Sequence, residues 1–323
     1  GLSFNHKDWE LACDNTRTCR AAGYSEDGAE LPVSVLLTRA AGAATPVKAE
    51  VMVGAMDEAA ERRKPAGNRL TLRIGGREFG PVTLAPDTLS GRLNPAQTEA
   101  LLTALAGNAR IEWLAGTQIR SLSSQGAAAV LLKFDEAQGR LGTTGALLRK
   151  GPRDEAQVPP PQSKPVLQAA ATPRNAKPVQ WPAEQLTVLR QGLAGTLKAA
   201  DDCSGLTSAA IELQPLGGEH LLVALECWSA AYNSGIGYWV VNARPPYAPV
   251  LVTTAGSSYA DGRIDAMQQG RGLGDCASLD NWLWTGRQFV HSAAASTGLC
   301  RMIAAGGAWE LPTLVTESRP ARP

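Results

Sequence analysis

The stretch LTLRIGGREFGPVTLAPDTLSGRLNPAQTEALLTALAGN, residues 70–108, changes its hydrophobic period halfway. Its first part, residues 70–84, alternates apolar and polar side chains around Gly75-Gly76, the pattern of a hairpin with a glycine turn. Its second part, residues 93–108, reads as a helix. Asn94 is placed to cap it, Pro95 occupies the first helical position, and Gln97 stands where a capping-box partner belongs. Leu101, Leu102 and Leu105 then share one face, and Gly107 ends the run. Strand chemistry followed by helix chemistry within forty residues predicts an α+β fold.

The flanks agree. VSVLLTRA and AEVMVGAM upstream are short β-type runs, ARIEWLAG downstream is another, and QGAAAVLLKFDEAQG predicts a second helix ending at Gly139. Residues 1–150 are therefore expected to form an antiparallel β module with two helices. Residues 151–180 hold seven prolines among Gln, Ala, Ser and charges, a composition that favours extended backbone. They are read as an interdomain linker, with an ordered surface loop packed on one domain as the alternative. Residues 181–323 open on a helix, WPAEQLTVLRQ, with Leu186 and Leu189 on one face. They continue as short β runs separated by Gly217-Gly218, Asp261-Gly262 and Thr285-Gly286, which predicts a mostly antiparallel C-terminal domain.

The six cysteines, Cys13, Cys19, Cys203, Cys227, Cys276 and Cys300, indicate compartment. Zinc knuckles and thioredoxin-like motifs need closely spaced Cys-x-x-Cys pairs, which this chain lacks, and His6, His220 and His291 are scattered. Cys203/Cys227 and Cys276/Cys300 enclose intervals of equal length, which favours disulfides over free thiols. Three sequential pairs is the simplest arrangement, and crossed pairing of the last four cysteines is the next. Disulfides imply an oxidising compartment, so a periplasmic or secreted protein whose signal peptide has been removed is expected. With 31 basic against 30 acidic residues, nothing favours nucleic acid, and no run is long and apolar enough to predict a transmembrane segment.

DWELACDNTRTCRAAGY, FDEAQGRLGTTGALLRKG, GYWVVN, GRGLGDC, WLWTGRQF and CRMIAAGGAWELPTLVT, spread from residue 8 to 316, together resemble domain of unknown function family 1176 of proteobacteria. The resemblance implies a secreted or periplasmic protein and no defined activity. The first domain also resembles the invasion-associated locus B proteins through Trp9, Cys13 and LRIGG, but lacks their cysteine pair after the hairpin.

Chemistry-bearing motifs are sparse. There is no G-x-S-x-G elbow, and GRGLGDC lacks the strand, helix and acid of a dinucleotide site, so no cofactor is expected. Asp261, Asp265 and Asp275 are a weak calcium candidate, without the dense carboxylate loop that calcium favours. The aromatic stretch CWSAAYNSGIGYW and the glycine-rich GRGLGDC supply candidate ligand-binding residues Trp228, Tyr232, Tyr238, Asp261, Arg271 and Asp275. The expected function is non-catalytic binding of an envelope protein, peptide or glycan. The alternatives are a hydrolase using His220 or His291 with a nearby carboxylate, an inhibitor or immunity protein against an envelope-targeting enzyme, and a purely structural envelope component. A thiol assay on the unreduced, denatured protein is expected to find no free thiol, and six after reduction.

Overall fold

The computed structural model describes residues 1–56 and 64–321. Its strands are β1 (Leu2–His6), β2 (Trp9–Cys13), β3 (Cys19–Tyr24), β4 (Val33–Arg39), β5 (Lys48–Val53), β6 (Arg69–Ile74), β7 (Arg77–Thr83), β8 (Ser90–Arg92), β9 (Ile111–Ala115) and β10 (Gln118–Leu122). There follow β11 (Val166–Gln168), β12 (Glu212–Gly217), β13 (His220–Ser229), β14 (Ser234–Asn242), β15 (Val250–Gly256), β16 (Ser258–Ala260), β17 (Arg263–Gln269), β18 (Ala277–Trp284), β19 (Phe289–Ser296), β20 (Leu311–Leu314) and β21 (Glu317–Arg319). Among the described residues the helices are α1 (Pro95–Leu105), α2 (Ala127–Ala137) and α3 (Ala183–Ala194). The fold is α+β and mostly antiparallel, as the alternating runs predict; β11 and β21 form a parallel pair. None of the described helices is long and apolar enough to cross a membrane.

The chain divides into two compact units, each assembled from several stretches. One comprises Gly1–Lys164, Leu273–Ala277 and Ala295–Val315; the other comprises Pro165–Gly272, Ser278–Ala294 and Thr316–Pro323. All six cysteines are paired, Cys13 with Cys19, Cys203 with Cys227 and Cys276 with Cys300.

In the first unit, six strands run in the order β1-β2-β3-β4-β5-β8, and four more in the order β10-β9-β6-β7. The β6–β7 hairpin turns at Gly75-Gly76, whose φ angles of 57° and 85° suit a mirror-image turn that a side chain would strain. At α1 the Gln97 amide donates to Asn94 Oδ1 (2.8 Å) and the Asn94 amide donates to Gln97 Oε1 (2.9 Å), a reciprocal cap. The buried Gln97 also donates to the Phe79 and Pro81 carbonyls, so the cap fastens α1 to the hairpin before it.

Alternation along the six-stranded sheet sends Trp9, Leu11, Ala21, Val35, Leu37 and Val51 to one face, where α2 contributes Val130, Leu131 and Phe134. Ala12, Ala22, Tyr24, Leu36 and Met52 point to the other face, and Ile303, Ala308 and Leu311 cover them. Polar contacts hold this cover. The Leu299 amide donates to Glu10 Oε2 (2.6 Å), Arg301 pairs with Asp8 (2.8 Å), and Trp309 Nε1 donates to Ser34 Oγ (2.8 Å). Burial pushes the Glu10 carboxyl up, although the Tyr24 hydroxyl, the Leu299 amide and the Arg301 charge oppose the shift.

Beyond α2, the wholly buried Arg140 guanidinium pairs with Glu155 and donates to the Gly42 carbonyl (2.6 Å), Thr45 Oγ1 (2.8 Å) and Gln138 Oε1 (3.0 Å). Arg39 Nη2 lies 3.5 Å from the same Glu155, and the Ala44 amide donates to its second oxygen (2.6 Å). The proline-rich segment therefore enters the first unit as far as Lys164 and contributes a half-buried charge there. Burial works against the Glu155 charge, but the Ala44 amide, Arg140 and Arg39 outweigh it and hold the carboxyl below the usual range. Burial lowers Arg39, reinforced by the Arg140 charge.

In the second unit, strands β12-β13-β14-β15 carry apolar residues on both faces. Leu213, Val223, Leu225, Trp239 and Val241 pack with Leu189 and Leu193 of α3, next to the Cys203–Cys227 bridge. Leu216, Leu222, Tyr238 and Val240 pack with Ile264 and Trp284.

Two outcomes are expected. Glu155→Gln leaves the buried Arg140 charge uncompensated and is expected to cost about 3 kcal/mol in urea unfolding at neutral pH. Because Glu155 has a depressed folded pKa, its contribution is present above the unfolded value of about 4.3 and is lost as pH falls through the folded one. The stability gap between wild type and the glutamine variant should therefore narrow below about pH 4. Asn94→Ala removes the reciprocal cap and is expected to cost about 1 kcal/mol in the same assay.

Candidate functional site

A cleft of about 700 Å³ in the first unit lies where β5, β8, α1 and the segment 145–150 meet. Each element contributes for a local reason. The strand order sets β8 beside β5, and the Leu93 amide closes this corner by donating to the Ala49 carbonyl (3.0 Å). The capped helix α1 then turns Leu102 inward. The segment after Gly145 is held by the buried Asp135 carboxylate, which accepts the amides of Leu147 (2.8 and 2.9 Å) and Leu148 (3.1 Å). Burial raises the Asp135 carboxyl, and those amides, with Arg39 and Arg140, pull it back in part.

The cleft floor is apolar: Ala49, Leu93, Leu102, Ala146 and Leu147 are all buried. The rim is cationic. Arg39 is committed to the carbonyls of Thr45 (2.9 Å) and Gly145 (2.6 Å), and Lys150 pairs with Glu99 at 3.2 Å in solvent. Lys48 and Arg92 are exposed, line the same cleft, and have no hydrogen-bond or ion-pair partner among the described residues. An apolar floor beneath two unengaged cations suits an anionic ligand with an apolar body.

The residues singled out from sequence fall elsewhere. In the second unit Trp228 is half-buried and donates from Nε1 to the Thr254 carbonyl (3.0 Å). Tyr232 is 50% exposed beside Gly272, and Arg271 is half-buried next to it in the chain. Tyr238 belongs to the interior; burial first, then the charges of Glu212 and Asp265, push its phenol up to about 12. An interior Tyr238 cannot display its ring to a ligand, so the aromatic stretch presents Tyr232 rather than a continuous aromatic surface. Asp261 takes a φ of 46° in the two-residue turn between β16 and β17. Asp265 is occupied by Arg263 (2.6 Å) and Asn281. Asp275 is buried in the first unit, where it accepts the Met302 amide (2.8 Å). Among the described residues these three carboxylates form no common ligand group. The one such grouping there, Asp275 with Cys276 and Cys300, contains sulfurs already joined in a disulfide.

The histidines differ from each other. His291 Nε2 lies 2.7 Å from Asp280 Oδ1, with its ring stacked on Trp282, and both partners are exposed on the strand surface. His220 meets Trp284 edge-on and lines a smaller cavity in the second unit. Sequence reading passed over Lys48 and Arg92 because they lie 44 positions apart, each in an unremarkable strand context. The only local signal is that Lys48 begins an alternating run, which predicts an outward side chain.

These features define a disulfide-stapled α+β protein with a cleft suited to binding. The chain matches the family described as "Protein of unknown function (DUF1176)" over residues 3–316 and belongs to it. It is similar to the uncharacterized protein YpfG of Escherichia coli (strain K12), at 24% identity, with 95% of this chain and 90% of that protein covered. No solved structure matches it.

Proposed function

We propose that this is an exported, non-catalytic binding protein of the cell envelope that takes a short acidic peptide in the first-unit cleft. The carrying observation is the pair of unengaged cations, Lys48 and Arg92, above the apolar floor of Ala49, Leu93 and Leu102. At about 700 Å³ the cleft falls in the size range of small-ligand sites. Pairing of every cysteine supports an oxidising compartment. A peptide fits better than a neutral glycan, because the cleft offers charge and apolar surface rather than exposed aromatic rings. The hydrolase alternative draws on the His291–Asp280 pair, which supplies an oriented imidazole but lies on an open strand surface.

Fluorescence polarisation with a labelled pentapeptide alternating leucine and glutamate is expected to give saturable binding. Binding should weaken as salt rises, and by at least about tenfold in the Lys48→Glu, Arg92→Glu double variant. Equal binding of the lysine-for-glutamate peptide, or an unaffected double variant with wild-type unfolding behaviour, overturns the reading.

A further inference from the structure

The second unit holds a separate cavity of about 210 Å³ where the 285–288 turn meets the open end of the β13-β14-β15 face. Pairing of His220 with Asn242, and of Val240 with Val250, sets these four side chains in neighbouring rows on that face. The cavity wall is mainly apolar, built from Val240, Val250 and Phe289 among others. Four polar side chains also line it: His220, Asn242, Arg287 and Gln288. Arg287 is exposed and carries no hydrogen-bond or ion-pair partner among the described residues. Asn242 spends its Nδ2 on the Pro246 carbonyl (2.8 Å), which holds the adjoining loop. His220 Nδ1 is enclosed by protein and makes no hydrogen bond. Among the described residues no acidic side chain lines the cavity.

Here His220 shares the cavity wall with an exposed guanidinium, and no carboxylate among the described residues is paired with that guanidinium. We infer that this cavity is a binding site for a small monocarboxylate with a branched apolar body. Arg287 supplies the counter-charge, and Val240, Val250 and Phe289 receive the hydrocarbon. The volume lies below the usual range of drug-sized pockets, which limits the occupant to a few carbons beyond the carboxylate. This site is independent of the peptide cleft, and either can fail without the other.

The probe is sodium isovalerate, titrated into the full chain while the Trp284 indole and His220 ring resonances are followed by NMR. Saturable shifts in the millimolar range are expected. Isovaleramide, which has the same shape without the charge, should bind at least about tenfold more weakly. Arg287→Ala, at an exposed position, should keep the wild-type melting curve and lose at least about tenfold in isovalerate affinity. Val250→Trp, 60% exposed at the cavity wall, should abolish the shifts by filling the space. The inference is overturned if isovalerate fails to saturate, if isovaleramide binds equally well, or if folded Arg287→Ala binds isovalerate as wild type does.

Discussion

The first unit is organised around one buried charge. Arg140 has no solvent-exposed surface, so its guanidinium must find every partner inside the protein. It finds them in the turn after α2, in the loop following β4 and in Glu155 from the proline-rich segment. Three stretches distant in sequence are thereby fixed to one another. Arg39 draws on the same carboxylate and extends the network to Gly145. A buried ion pair of this kind need not add stability relative to an apolar replacement, but removing one member leaves the other stranded. The arrangement therefore specifies which segments meet more than it strengthens their meeting.

The cleft follows from that constraint. Arg39 and Asp135 together hold the 145–148 segment, one through the Gly145 carbonyl and the other through the Leu147 and Leu148 amides. With that segment fixed opposite a capped α1, the space between them persists as a cleft with buried aliphatic residues at its base. Lys48 and Arg92 line its rim with no side-chain partner among the described residues. In the second unit the β12–β15 sheet is apolar on both faces, and where one face reaches its open end a smaller cavity with a different charge pattern remains.

Much of the architecture was legible in local pattern. The Gly75-Gly76 and Asp261-Gly262 turns, the Asn94–Gln97 cap and the helical face of Leu189 follow from short-range sterics and hydrogen bonding, which neighbouring residues control. The candidate binding residues were less legible. Tyr238 and Trp228 stand in one aromatic stretch, yet one is interior and the other half-buried, because strand alternation assigns faces without saying which face meets solvent. Lys48 and Arg92 carry no motif at all; their significance arises from the pairing of β5 with β8.

By itself the sequence determined the α+β class, the local caps and turns, and a set of cysteines suited to disulfides, all of which rest on composition and on contacts within a few residues. Only the tertiary structure decided what covers the second face of the six-stranded sheet. Alternation shows that Ala12, Ala22, Tyr24 and Leu36 share that face, but Ile303, Ala308 and Leu311 arrive from nearly three hundred residues later. The same holds for Arg140 with Glu155 and for Lys48 with Arg92. A long-range contact is chosen by the whole fold competing for burial and charge compensation, and no local stretch carries that choice.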